Sequence, residues 1–175
     1  MALRDDLERV LAVARAETVD LEALIADEHE RQRVYLAALA AVPAAGEAET
    51  IALVLRDPDR VMAESVLMSH IDRQASRLAS SGSFAAWAAG LAGLVGQESF
   101  PARRIREWRL FKTVMDGGNA DAATLADSSN WLQRKIVDEA VSPTVLDTMG
   151  EVGRTKRVRN LAKTRAGRLR RESAP

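Results

Sequence analysis

The chain of 175 residues is predicted to be all-α. Three observations carry that expectation. Apolar residues recur at three- and four-residue intervals along most of the sequence, the spacing of one face of a helix. No segment alternates apolar and polar residues for long enough to make a strand. Aromatics are 4% of the residues while Ala, Leu, Glu and Arg abound, a composition that favours helix.

In chain order, Leu3, Leu7, Val10, Leu11 and Ala14 predict a first amphipathic helix over about residues 2–16. Thr18 is the expected cap of a second, because its hydroxyl can accept an otherwise unpaired N–H. Leu21, Leu24, Ile25, Val34, Tyr35 and Leu39 carry that helix to about Ala41, and Pro43 ends it. The two form a hairpin over residues 1–45, read as an N-terminal cap. Shorter helices in pairs are expected from residue 46 onward. Glu47–Arg56 and Arg60–Leu78 flank the turn Asp57-Pro58-Asp59. Ser80-Ser81-Gly82-Ser83 is the expected flexible joint. Phe84–Val95 and Ala102–Met115 follow, with Pro101 heading the second, where its missing N–H costs nothing. Gly117-Gly118-Asn119 breaks the chain. Asp121–Ala126 and Asn130–Ala140 come next, then Ser142 as cap, Pro143 at the first helical position, a turn at Gly153 and a final helix.

A chain of this length is expected to form one domain and to bury roughly 70% of its unfolded surface, so it needs no disulfide or metal for stability. It has no cysteine, which fits a reducing compartment and a cytoplasmic setting. The opening MALRDDLERV has alternating charges and no apolar core, so no secretory leader is expected there. The most apolar stretch, Phe84–Val95, is well short of the roughly 20 residues that cross a bilayer and is read as a buried helix.

The net charge of zero hides an asymmetry. Residues 1–101 carry 9 Lys/Arg against 16 Asp/Glu, and residues 102–171 carry 16 against 8. One acidic and one basic half point to an anionic partner for the latter. They also offer a route to head-to-tail self-association.

A shift of 26 residues aligns Leu132 with Val158, Gln133 with Arg159, Ile136 with Ala162 and Asp127 with Gly153. On these residues, and on Asp57-Pro58-Asp59 followed by Val61, residues 46–171 resemble HEAT and leucine-rich-variant repeats. Those are α-helical solenoids whose units read as an apolar helix, Asp-Pro-Asp, then Val-Arg and a small residue. The closest stretch is SPTVLDTMGEVGRTKRVRNLAKTR. Two departures stand out: Met62 occupies the family's arginine position and Gly153 its aspartate position, which leaves the family's Asp–Arg ladder incomplete. The resemblance implies a right-handed stack of about ten helices, with residues 172–175 as a disordered tail.

The candidate binding residues lie in the basic half. Arg154, Lys156, Arg157, Arg159, Lys163, Arg165, Arg168, Arg170 and Arg171 crowd the final helix, whose apolar stripe is read as Val158, Leu161, Ala162 and Leu169. Cations suit a helix C-terminus, but this many exceed what its dipole calls for. An acidic protein surface or a nucleic-acid phosphate backbone would relieve their repulsion. Arg134, Lys135 and Trp131 form a second group. A third is Trp108 and Phe111 among Arg103, Arg104, Arg106, Arg109 and Lys112, where aromatics could stack bases or pack as core. Some alkylpurine DNA glycosylases are built from HEAT-like repeats, and that resemblance would give Trp108, Asp116 and Trp131 roles in a groove. No catalytic, phosphate-loop or metal-ligand spacing is present, and neither His29 nor His70 has it, so no cofactor or metal is expected. The reading is a non-enzymatic binding scaffold for an acidic protein, with DNA or RNA binding as the alternative.

Overall fold

A computed structural model describes residues 2–16, 19–118 and 120–172. Eleven α-helices and no strand occur among them: α1 (Ala2–Ala14), α2 (Leu21–Ala26), α3 (Glu28–Ala41), α4 (Ala44–Val54), α5 (Arg60–Leu78), α6 (Phe84–Ala92), α7 (Phe100–Met115), α8 (Ala122–Asp127), α9 (Asn130–Glu139), α10 (Pro143–Val152) and α11 (Lys156–Glu172). The chain forms two compact units, Met1–Ile105 and Arg106–Pro175. The division falls within α7, not at residue 45 or in the Ser80–Ser83 joint. It also separates the charge, with a net of −5 in the first unit and +5 in the second.

The sequence pattern placed most helices within a few residues, and the differences have local causes. The expected second helix is two helices, because Asp27 is extended (φ −121°, ψ 113°) and its carboxylate accepts the His29 N–H at 2.8 Å. Thr18, the expected cap, lies outside the described residues, and Asp20 caps α2. Ser142 occupies the capping position of α10 without a side-chain bond. Helix α6 is not a buried helix. Phe84, Ala88 and Leu91 face the core, whereas Ala85, Ala86, Ala89 and Gly90 are exposed. A run of alanines is apolar all round, so hydropathy alone cannot tell its inner face from its outer one. Of the expected tail, Glu172 is the last residue of α11, and residues 173–175 lie outside the described ones.

In the first unit, α3 packs against α1, α2, α4 and α5. Leu7, Leu24, Tyr35, Leu39, Ile51, Leu67 and Ile71 are almost fully buried there. The polar centre is Asp57, in the turn after α4. Its Oδ2 accepts from Arg31 Nε and from the Tyr35 hydroxyl, both at 2.8 Å, and its Oδ1 accepts the Asp59 N–H. Burial, then the bond to Asp57, pushes the Tyr35 phenol well above its ordinary value. Arg31 also donates to the carbonyls of Leu24 and Ile25, which tie down the end of α2. An Asp–Arg pair therefore exists, supplied from α3 rather than from the Met62 position.

In the second unit, α8 packs on α10 and α9 on α11, with α10 also against α11. Gln133, fully buried on α9, donates to the carbonyls of Leu125 and Ala126 at the end of α8, and its Oε1 accepts the Arg154 N–H at 2.8 Å. Arg159 on α11 donates to the Gly153 carbonyl at the end of α10, at 2.6 Å. Arg31, Gln133 and Arg159 are each the fourth residue of their helix, and each closes the helix before it. Second helices are closed too: Arg73 of α5 donates to Leu39 O near the end of α3, and Arg165 of α11 donates to Val137 O and Ala140 O at the end of α9. Gly153 is dictated by space, since a Cβ there would lie 2.7 Å from Met149 O and 2.9 Å from Val158 Cγ1. Gly117 instead takes a positive φ (79°) that ends α7 as only glycine does cheaply.

Two stability outcomes follow. Asp57→Ala strands a buried guanidinium and a buried phenol and should cost about 3–5 kcal/mol in urea unfolding. Gly153→Ala should cost about 1–3 kcal/mol by overpacking the turn.

Candidate functional sites: a basic helix face and an acidic cleft

Helix α11 buries Val158, Ala162 and Ala166, which sit at intervals of four and lie against the rest of its unit. Leu161, expected in that stripe, is 39% exposed, and Ala166 takes its place. The cations of the helix then divide by what they touch. Arg159 and Arg165 are half-buried and spend their guanidinium groups on helix-end carbonyls. Arg168 pairs with Glu172 at 2.7 Å, and Arg170 with Asp147 of α10. Arg154 reaches the Ser128 carbonyl at 3.5 Å, a marginal bond, while its backbone N–H bonds to Gln133. Lys156, Arg157, Lys163 and Arg171 are exposed, and among the described residues they take no carboxylate partner. The Lys163 stem lies across Gly150, where a Cβ would meet its Cγ at 2.9 Å.

The aromatic groups turn inward. Trp108 is 2% exposed and meets Phe111 (5.4 Å between centroids) and Trp131 (5.6 Å) edge-on. Lys135 Nζ lies 4.5 Å from the Trp108 ring centroid and 4.7 Å from that of Phe111, and bonds Glu139 at 2.6 Å. Trp108 and Lys135 thus hold the core of the unit and do not present a stacking platform. Trp131 is half-buried against Trp108, and Arg134 is exposed. Asp116 is exposed and paired with Lys112 at 3.0 Å, while Trp108 is buried, so the two do not share an open groove.

The first unit contains a site that the sequence pattern did not point to. A cleft of about 400 Å³ opens between α4 and α6. Its walls include Ala48 and Ile51 on one side and Ala86, Gly90 and Leu91 on the other, and Glu47 and Trp87 also line it. Glu47 Oε1 is 2.6 Å from His70 Nε2 and 3.1 Å from Trp87 Nε1, and Trp87 Nε1 is 3.2 Å from Oε2. His70 is fully buried, with Nδ1 3.1 Å from Arg73 NH2. A guanidinium can only donate, so Nδ1 accepts and Nε2 carries the proton given to Glu47. Burial pushes the Glu47 carboxyl up, but the bonds from His70 and Trp87, the electrostatic influence of His70 and the bond from Gln74 outweigh it and hold the group below its ordinary range. His70 is a satisfied core residue. The missing signal was Glu47 and Trp87, 40 positions apart and joined only by the fold.

Among the described residues, no three His, Asp or Glu side chains converge to hold a metal ion, and no helix is long and apolar enough to cross a membrane. Comparisons with protein-family models, curated proteins and solved structures gave no match.

A carboxyl group depressed by folding contributes stability above the ordinary carboxylate range, and that contribution is lost as pH falls through the folded-state value. Stability of the wild type should therefore fall as pH drops below the ordinary carboxylate range. Glu47→Gln should flatten that part of the profile, measured as urea midpoints against pH.

Proposed function

We propose that the chain is a non-enzymatic HEAT-like helical-repeat scaffold whose α11 face docks an acidic protein segment. The observation that carries the docking surface is the set Lys156, Arg157, Lys163 and Arg171, exposed and without internal carboxylate partners among the described residues. Unrelieved like charges on one helix raise its energy, and an anionic partner removes that cost. The stacked reading is supported by the packing of α8 on α10 and α9 on α11, and of α1, α3 and α5 in series. It is supported also by the recurrence of one closing side chain at the fourth position of α3, α9 and α11.

A protein partner is favoured over nucleic acid for two reasons. Trp108 and Phe111 are buried inside the second unit, and Trp131 packs edge-on against Trp108, so the aromatics offer no open stacking platform. Lys156, Lys163 and Arg170 also fall seven residues apart, a line with a step of about 10.5 Å along the helix. That step matches carboxylates repeating every seven residues on a partner helix, the pattern by which helices choose one another through charge.

The test is binding of the full chain to poly-L-glutamate and to random duplex DNA at two salt concentrations. Binding to the polypeptide at low salt, weakened by salt, is expected. The joint substitution K156Q/R157Q/K163Q/R171Q should abolish it and shift Tm by no more than about 2 °C, because surface changes of this kind rarely matter to stability. Tight duplex binding with a steep salt slope would favour the nucleic-acid reading instead. Unfolding of the quadruple variant would make these side chains structural and remove the surface.

A further inference from the structure

The α4–α6 cleft joins an apolar wall to one buried-edge carboxylate, and we infer that it is a binding site for a small organic cation, a protonated amine carried on an apolar body. The volume of about 400 Å³ falls within the range of small-molecule sites, roughly 300–1,000 Å³. Apolar walls with one or two fixed polar groups are the usual makeup of such sites. Here the fixed group is Glu47, whose side chain is 13% exposed and opens to the cleft.

The chemistry of Glu47 selects the charge of the ligand. Its Oε1 is engaged by His70 and Trp87, Trp87 Nε1 also approaches Oε2 at 3.2 Å, and Gln74 bonds the same carboxylate. A carboxylate offers about four acceptor sites and three side chains occupy it, so it keeps capacity for a donor from the cleft. His70 donates to Glu47 from one ring nitrogen while the other lies 3.1 Å from Arg73 NH2, so the ring is held on both sides and leaves the cleft face of the carboxylate open. An incoming ammonium would complete the pairing with a charge-assisted bond, and an incoming carboxylate would be repelled. The Trp87 indole beside the carboxylate adds a ring to which a cation is drawn. Ala48, Ala86 and Gly90 keep the walls low, so an apolar body can lie between α4 and α6 against Ile51 and Leu91. This site is on the acidic unit and is independent of the α11 surface.

The experiment titrates the full chain with 2-phenylethylammonium, 2-phenylethanol and 3-phenylpropionate, three bodies of similar shape with positive, neutral and negative heads. The readout is the indole N–H resonance of Trp87, assigned by its absence in Trp87→Phe. The ammonium should shift that resonance and bind roughly tenfold or more tightly than the alcohol, and the carboxylate should not bind. Glu47→Gln should erase the difference between ammonium and alcohol. Ala86→Leu changes an exposed wall residue, leaves the Glu47 bonds in place and should block all three, which covers the case in which Glu47→Gln does not fold. The inference is overturned if the ammonium binds no better than the alcohol, if it leaves the Trp87 resonance unmoved, or if its binding survives Ala86→Leu.

Discussion

A helix ends with carbonyl groups that its own backbone cannot satisfy, and a protein made almost wholly of short helices has many such ends. In this chain the connections at Asp27, Ser128 and Gly153 turn at once into extended backbone, leaving no left-handed residue to fold the last carbonyls back. The carbonyls are met from outside instead. Arg31, Gln133 and Arg159 each reach from the first turn of a helix to the end of the one before. One side chain thus fixes the angle between two helices and hides the polar end that would otherwise bar close packing. The hydrophobic contacts of Leu24, Leu125, Leu132 and Val158 depend on that geometry, since they form only where the two helix axes are held in place.

The same requirement divides the cations of α11. Charge counting treats the nine cations from Arg154 to Arg171 as one population, but long side chains serve different ends according to where their stems emerge. Arg159 and Arg165 emerge beside buried residues and complete the fold. Lys156, Arg157, Lys163 and Arg171 emerge away from it. The ion pairs of Arg168 and Arg170 are exposed and contribute little. The acidic unit applies the same economy to Glu47, whose carboxylate serves His70, Trp87 and Gln74 at the edge of the cleft.

Much of the fold was legible in the sequence because helical spacing is local. A helix from Arg60 to about Leu78 was expected and α5 spans Arg60–Leu78, and the breaks at Pro43, Asp57-Pro58-Asp59 and Gly117 are written in residues with strong backbone preferences. The break at Asp27 was missed, because an aspartate amid helix-forming residues looks like a surface position until its carboxylate is seen to cap the next turn. The alignment of Gln133 with Arg159 was found by spacing, yet its meaning lies in the carbonyls they contact. The cleft was not legible at all: Glu47, His70 and Trp87 come from three helices, and no local pattern joins them.

Urea unfolding of Arg31→Met, Gln133→Met and Arg159→Met, with Arg157→Met as the neighbouring control, tests most directly whether the fourth-position side chains hold these helices together. Gln133→Met and Arg159→Met should each lose about 1–3 kcal/mol, the cost of leaving buried carbonyls unsatisfied, Arg31→Met about 3–5 kcal/mol because it also strands the buried Asp57 carboxylate, and the control should stay within about 0.5 kcal/mol. If all four variants unfold at the wild-type midpoint, the helix ends are satisfied by water, and the closing side chains are incidental to the fold.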